Sequence, residues 1–243
     1  MIRMKTARFL TLLIFATYSV AGFSSEAMPI YYASILPAKN RQQGIGGDLK
    51  KLNIDPTVFA KYSDFIEIVK TSKPNILIAP SFFGKYYPEY RPYFRLSIDG
   101  KSKIRYKLMA LNHGLKGKDL STEKIGIVQE VDRNHVNEVV SQLLGVKVKL
   151  IRTVTKPEDL LPLLVFKSAD IIIVSPDNLK GLKEKFSTEV KLIQETEEID
   201  SPTIFFRKDF DPKQLEEKIK GLSPSVLNTL GFTAVEKCEG AEK

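Results

Sequence analysis

The chain has 243 residues, of which 43% are hydrophobic and 27% are charged, and its formal net charge is +8 at pH 7. This composition is ordinary for a globular protein and excludes a disordered, collagen-like or coiled-coil chain. The basic excess is spread along the sequence instead of being clustered, which argues against a nucleic-acid-binding protein.

The N-terminal segment predicts a secretory signal peptide over residues 1–24. Three basic residues precede an apolar run from Phe9 to Phe23, which is shorter than the ~20 residues needed to cross a bilayer. Small residues near positions 19–21 and 25–27 provide two candidate cleavage points. An uncleaved membrane anchor is the alternative. Removal of the leader takes three positive charges from the +8, so the exported chain, expected in the periplasm, carries about +5.

A weak internal duplication with an offset of 95 residues is the most informative feature of the remaining sequence. The predicted strands are Ile30–Ile35, Val58–Tyr62 and Ile76–Ala79 in the first copy, and Lys124–Gln129, Val148–Val154 and Ile171–Val174 in the second. A flexible loop is expected over Arg41–Gly47, before a helix that starts at Asp48. Unbroken apolar runs are typical of strands buried on both faces. The sequence therefore predicts an α/β fold with two parallel βαβαβ units.

Two crossings are predicted to join the units into a two-lobed protein. A strand at Ile104–Leu111 leads into the turn Asn112–Gly114 as the first hinge, and the strand Thr203–Lys208 returns the chain. In open sheets of this kind, ligands bind beyond the carboxyl ends of the strands. The predicted boundaries are residues 28–111 and 204–243 for the first lobe and residues 112–203 for the second.

Several short motifs occur in a characteristic order: Lys118–Leu120 before Glu123–Val128, Ser168–Pro176, Ser201–Asp209 and Leu230–Phe232. In this order the chain resembles the periplasmic solute-binding proteins of ABC importers, with the type II binding-protein fold, and within them the phosphate/phosphonate-type branch. The resemblance implies a monomer that captures a small anionic ligand between two lobes. It also implies a membrane permease as partner, no enzymatic activity and no cofactor.

One loop departs from this branch. Its members place a Ser/Thr-rich loop where this chain has Gln129–His135, which carries Glu130 and Asp132 and no hydroxyl group. A doubly charged anion would meet both carboxylates unfavourably. A ligand-sensing or accessory module, acting with a membrane kinase or another exported protein, is therefore the alternative function. The aromatic segment 82–94 fits a wall of the ligand pocket, the core of the first lobe or a docking surface.

The ligand-binding candidates lie at strand ends, where helix N-termini favour anions. They are Tyr32, Ser34, Ser81, Phe82, Gln129, Arg133, Asn134, Ser175 and Asp177. Ser81 and Ser175 follow the third strands of the two copies, and Arg133 suits a carboxylate or phosphoryl group. The alternatives are core packing for Tyr32, helix capping for the serines, and a surface pairing of Arg133 with Asp132.

No catalytic or metal-binding arrangement is readable in the sequence. The chain has no Gly-x-Ser-x-Gly motif, and its single cysteine, Cys238, lies near the C-terminus and has no partner for an internal disulfide. His113 and His135 have no cysteine or second histidine at metal-ligand spacing. A non-enzymatic protein without a metal site is therefore predicted, and an enzyme of the same architecture is a third alternative.

Overall fold

The computed structural model describes residues 25–111, 119–185 and 189–240, so the predicted leader and the turn Asn112–Gly114 lie outside the described residues. The described part contains a six-stranded sheet, a five-stranded sheet and a separate two-stranded ribbon, together with helices. The protein is therefore an α/β protein with two lobes, each built on one of the large sheets, as the sequence predicted.

The strands, in chain order, are β1 (Glu26–Ile30), β2 (Ile54–Val58), β3 (Ile76–Ala79), β4 (Tyr90–Ser97), β5 (Lys103–Ile104), β6 (Lys107–Ala110), β7 (Lys124–Val128), β8 (Leu150–Val154), β9 (Ile171–Val174), β10 (Lys191–Glu195), β11 (Ile199–Asp200), β12 (Thr203–Arg207) and β13 (Ala234–Lys237). The first sheet has the order β13-β4-β12-β3-β1-β2 and the second the order β10-β6-β9-β7-β8. The parallel strands β2-β1-β3 and β8-β7-β9 are the two copies of the repeat.

The helices are α1 (Ala38–Lys51), α2 (Tyr62–Ser72), α3 (Phe83–Tyr86), α4 (Val136–Leu144), α5 (Leu160–Val165), α6 (Pro176–Lys185), α7 (Lys213–Lys220) and α8 (Pro224–Leu230). None of them, within the described residues, is long and apolar enough to span a bilayer. Gly231 ends α8 in the left-handed conformation, as expected for a helix C-terminus.

The central strands are buried on both faces, which is why the sequence shows them as unbroken apolar runs. In β3, Ile76 and Ile78 belong to one hydrophobic cluster, whereas Leu77 and Ala79 belong to another on the opposite face. The four residues of β9 divide in the same alternating way between two clusters. Both strands were predicted with the bounds that the structure shows.

The first strand of the repeat was predicted at the wrong position. β1 ends at Ile30, which pairs with Ile78, and the corresponding pair in the second lobe is Ile127 with Ile173. The offset is therefore 97 residues for this strand, although it is 95 for the third strands. The backbone N–H of Tyr31 still donates to the carbonyl of Ile78, but that of Ala33 donates to Glu130 in the other lobe, so the chain has left the sheet by that residue.

The second strand was also placed too late in the sequence. The prediction was Val58–Tyr62, whereas β2 spans Ile54–Val58 and includes Pro56. Proline cannot donate to a strand ladder, so a strand that contains it belongs at the edge of a sheet. β2 is the last strand of its sheet and has only β1 as a neighbour, which explains how Pro56 is accommodated.

The predicted flexible loop over Arg41–Gly47 is wrong, because these residues lie inside α1. One of these glycines, Gly44, is needed for helix packing, because a Cβ on it would lie 2.5 Å from Cγ2 of Thr229 in α8. Only glycine therefore allows α1 and α8 to approach this closely.

This contact gives a testable prediction for stability. We expect Gly44→Ala to destabilise the protein by about 1–2 kcal/mol, because overpacking outweighs the higher helix propensity of alanine. Gly47→Ala is the matched control, since no atom lies within 4 Å of its Cβ position, and it should stabilise slightly. The double variant Gly44→Ala/Thr229→Ala should regain most of the lost free energy of unfolding, as measured by denaturant unfolding. Equal effects of the two single alanine variants would contradict this role of Gly44.

The first crossing occurs earlier than predicted. The prediction assigned Ile104–Leu111 to the first lobe, but β6 pairs with β9 and β10 in the second sheet. The chain therefore crosses before Lys107, and β5 and β11 form the ribbon at the two crossings, with Ile104 paired to Ile199. The return strand β12 lies between β3 and β4 in the first sheet, antiparallel to both.

Candidate ligand-binding site

The largest described cavity has a volume of about 650 Å³ and lies between the two lobes. Its walls come from the segments that follow β1, β3 and β9, and from the two-stranded ribbon at the crossings. This is the location expected for a ligand in open α/β sheets, beyond the carboxyl ends of the strands. The volume lies within the usual range for pockets that hold small molecules.

Six of the predicted candidates are brought together in this cavity: Tyr32, Ser34, Ser81, Phe82, Ser175 and Asp177. The other three, Gln129, Arg133 and Asn134, are not among its described lining residues. Arg133 and Asn134 are exposed in a 3₁₀ turn that precedes α4. The amide of Gln129 donates to the carbonyl of Val131, so it turns back on its own loop.

The two serines with described hydrogen bonds act as local caps at the cavity wall. Ser34 Oγ accepts from the backbone N–H of Leu36 at 3.2 Å, and Ser175 Oγ accepts from that of Asn178 at 3.4 Å. Capping and cavity lining therefore occur together in both residues. Each hydroxyl group keeps its own proton available for donation to a ligand.

Asn178 was missed by the sequence reading, yet it joins the two lobes directly. Its Oδ1 accepts from the backbone N–H of Ile35 at 2.7 Å, and its Nδ2 donates to the carbonyl of Ala33 at 3.0 Å. The side chain is 3% exposed, so these bonds are shielded from water. The amide thus clamps the segment after β1 against α6.

Glu130 makes a second direct link between the lobes. One carboxylate oxygen accepts from the backbone N–H of Ala33 at 2.8 Å, and the other accepts from the hydroxyl of Tyr106 at 3.1 Å. Burial raises the pKa of Glu130, and the two hydrogen bonds only partly oppose this increase. The carboxylate occupies the loop where the resembled branch has hydroxyl residues.

The remaining cavity charges are mainly negative. Burial against the cavity wall raises the pKa of Asp177 to about 6, and the negative charge of Asp99 is the second cause. Glu184 also lines the cavity, and Lys180 is the one described lining residue with a positive charge. A ligand that donates hydrogen bonds or carries an amine group matches this arrangement better than a dianion does.

The lobes also meet at a second set of contacts, between the first lobe and the segment around α4. The ring of Tyr86 stacks on His135 with ring centres 4.1 Å apart, and Tyr87 donates its hydroxyl proton to Asp132 at 2.6 Å. Lys85 forms an ion pair with Glu138, with 2.7 Å between Nζ and Oε1. The lobes are therefore held in direct contact by their own side chains.

The aromatic segment 82–94 is mainly part of the core. Its buried rings, in the first sheet and the cluster under α2, are those of Phe83, Tyr87, Tyr90, Tyr93 and Phe94. Of the three roles that the sequence left open, core packing applies to most of the rings and cavity lining applies to Phe82. A broad aromatic docking surface is not present in this part of the described chain.

Within the described ranges, no group of three or more His, Cys, Asp or Glu side chains has a geometry that would hold a metal ion. Cys238 is 7% exposed and packs in the first lobe, where its backbone N–H donates to the carbonyl of Tyr93. His113 lies outside the described residues.

Comparison with solved structures reveals the fold family. PhnD1 of Prochlorococcus marinus in complex with methylphosphonate has a TM-score of 0.67 at 13% identity, with 90% of this chain and 94% of that chain covered. A binding protein component of an ABC phosphonate transporter from Pseudomonas aeruginosa gives a TM-score of 0.60 at 12% identity, covering 88% and 81%. This chain has the two-lobed type II periplasmic-binding-protein fold.

The likeness extends beyond phosphonate-binding proteins. A periplasmic binding protein of an arginine transport system from Legionella pneumophila matches the type II fold of this chain with a TM-score of 0.53 at 14% identity, covering 85% and 97%. No family model and no curated protein sequence matches the chain. The neighbours of this type II chain are thus binding proteins for differently charged solutes, and they share its fold at low identity.

Lobe closure in this type II fold gives a second prediction. A Cβ on Gly181 in α6 would lie 2.6 Å from Cγ2 of Ile35 across the lobe contact. We expect Gly181→Val to force the lobes apart and to lower the affinity for a cavity ligand about tenfold or more. Small-angle scattering should show a larger radius of gyration. Gly47→Val, in the open surroundings of α1, is the control, and the same radius for both variants would contradict the prediction.

Proposed function

We propose that the protein is a solute-binding protein whose two lobes hold one small ligand in the 650 Å³ cavity. The observation that carries this proposal is the convergence of strand-end segments from both lobes on that cavity, with Asn178 and Glu130 bonded across its edge. Contacts of this kind exist only when the lobes meet. A ligand that touches both lobes therefore selects the closed state.

The chemical class of the ligand is the second part of the proposal. The resemblance favours a phosphate- or phosphonate-like anion, and two neighbouring structures are phosphonate-binding proteins. The cavity charges favour a different ligand, because Asp99, Asp177 and Glu184 face a single lysine, Lys180. We propose a solute with an apolar body along Phe82 and an amine or other hydrogen-bond donor at Asp177, and the anion is the competing class.

The proposed setting is the periplasm, reached through the leader at residues 1–24, with the membrane permease of an ABC importer as partner. The proposal includes a monomeric state, and the transport-associated neighbours support the part of it that assigns no catalysis. The alternative is a sensing or accessory module of the same fold, acting with a membrane kinase or another exported protein. Burial of most rings in segment 82–94 gives this alternative no support from an aromatic docking surface, and its remaining support is the departing loop Gln129–His135.

A thermal-shift screen of residues 25–243 tests the proposal. The panel contains L-arginine, L-glutamate, methylphosphonate and inorganic phosphate, each at several concentrations. A ligand at about 100 times its Kd stabilises the folded state by about 2.7 kcal/mol. For a chain of this length that corresponds to a rise of roughly 5–10 °C in Tm.

The amine-bearing L-arginine is expected to give a larger shift than methylphosphonate. A larger shift with methylphosphonate would overturn the proposed ligand class, and the function itself would stand. Asp177→Asn is the cavity variant and should reduce the shift given by an amine-bearing solute. If no solute in an extended panel of amino acids, organic acids and oxyanions shifts Tm, the transport function is wrong and the accessory function replaces it.

A further inference from the structure

The sheet of the second lobe ends in a strand whose outer side is unpaired in the described part of the chain. β8 is the last strand of that sheet, and β7 is its one described neighbour. The register between the two strands runs without a shift from Leu150 to Val154, and β8 contains no proline. A regular strand with a free edge can pair with a further extended segment.

The other three sheet edges among the described strands are blunted. β2 contains Pro56, and β10 has a bulge between Leu192 and Gln194. β13 has four residues, and its Lys237 forms an ion pair with Glu216. Prolines, bulges and very short strands all hinder pairing between sheet edges. β8 is therefore the described edge that has none of these three features.

The hydrogen bonds of β8 to β7 show which of its backbone groups are free. The carbonyl of Val154 accepts from the backbone N–H of Gln129, so it points toward the β7 side. Because backbone groups alternate in direction along a strand, those of Ile151 and Thr153 point away from β7. Their N–H and C=O groups are thus available to a segment that adds to this edge.

The charge of this edge indicates which segment would pair with it. Lys147, Lys149 and Arg152 are exposed and belong to none of the described ion pairs. The carboxylate of Asp119 interacts with Lys149 through its charge, without forming an ion pair. Pairing with a second copy of β8 would bring the positive side chains of both copies together, which is unfavourable, whereas acidic side chains would be attracted.

We propose that β8 binds an extended acidic segment of a partner protein, which adds to the second sheet as a further strand. The backbone of the segment bonds to Ile151 and Thr153. Its Asp or Glu side chains contact Lys149 on one face of the sheet and Arg152 on the other. None of these four residues is in the described lining of the ligand cavity, so the proposal does not depend on the identity of the solute.

Fluorescence anisotropy of a labelled peptide tests the proposal on residues 25–243. The probe is a short, end-blocked peptide that repeats Glu-Glu-Val-Val, which places glutamate on both faces of an extended chain. We expect the peptide to bind and to slow amide hydrogen exchange at Ile151 and Thr153. The same peptide with lysine in place of glutamate should bind about tenfold or more weakly. Equal binding of the two peptides, or binding of neither, would overturn the proposal.

Thr153→Pro tests the backbone pairing, because it removes an N–H that points away from β7 and leaves the hydrogen bonds to β7 in place. The affinity for the acidic peptide should fall about tenfold or more. Thr153→Ala keeps the N–H and is the matched control, so its affinity should stay close to that of the wild-type protein. Equal affinities of the two variants would show that the peptide does not pair with this edge, and the proposal would be wrong.

Lys149→Glu tests the charge of the edge and should weaken binding of the acidic peptide about fivefold or more. Lys61→Glu makes the same change of charge at an exposed site in the first lobe and should have little effect. If Thr153→Pro does not fold, these two lysine variants decide the question. Wild-type affinity of Lys149→Glu would contradict the proposal. Sedimentation that shows a dimer of the free protein, dissociated by Lys149→Glu or Thr153→Pro, would replace the acidic segment with a second copy.

Discussion

Asn178→Ala is expected to lower the apparent affinity of the protein for its cavity ligand by roughly 30- to 150-fold. The substitution removes the acceptor for Ile35 N–H and the donor to the Ala33 carbonyl, both of which lie across the lobe contact. In the closed form these backbone groups become unsatisfied, which costs about 2–3 kcal/mol. In the open form water hydrates them, so the loss acts on closure and not on the folding of either lobe.

Calorimetric titration with the strongest hit of the solute screen, together with small-angle scattering, measures this effect. The variant should show weaker binding and a larger radius of gyration when no solute is added. Asn228→Ala removes an exposed asparagine from α8 and is the matched control. An Asn178→Ala protein with wild-type affinity and radius would show that this amide does not control closure.

Closure is also expected to weaken as pH rises, because Glu130 is buried between the lobes. Its pKa is raised in the closed form by burial, so the closed form holds a proton that the open form has already released. This contribution to closure is complete below the ordinary glutamate pKa and is lost as pH rises through the raised value. The ligand affinity should fall by up to about tenfold per pH unit within that window.

Affinities measured between about pH 4 and pH 8 test this expectation, since the window lies above the ordinary carboxyl pKa. Glu130→Gln removes the charge and should flatten most of the slope. The part that remains is assigned to Asp177, whose pKa of about 6 is raised in the same direction. Glu184→Gln changes an exposed carboxylate of the same cavity and serves as the control. Identical profiles for wild type and Glu130→Gln would contradict this role.

Local sequence was sufficient where local packing decides the structure. β3 and β9 are buried on both faces, so their apolar runs mark their bounds directly. The predicted bounds of β1 and β2 were shifted from the observed ones because these strand ends depend on distant partners. Ala33 bonds to Glu130 in the other lobe, and Pro56 is accommodated because β2 is an edge strand. The glycines of α1 were read as flexibility, although Gly44 is required by the contact with α8.

The candidate site shows the same division. The strand-end rule located Ser81 and Ser175 because it depends only on where parallel strands end. The sequence reading missed Asn178, and it noted Glu130 only as a charge in its loop, because the partners of both residues are distant: Ile35 is 143 positions from Asn178, and Ala33 is 97 positions from Glu130. Such pairings arise only from the packing of one lobe on the other. Arg133 was predicted to bind the ligand but does not line the cavity, because its position also depends on how the lobes pack.

A crystal structure of residues 25–243 grown with the strongest hit of the solute screen tests the central claim most directly. The account predicts density for one solute in the cavity between residues 32–37 and residues 175–181, with both lobes in contact with it. The apolar part should lie along Phe82. A solute bound outside this cavity, or a cavity that stays empty at saturating solute while Tm rises, would contradict the account.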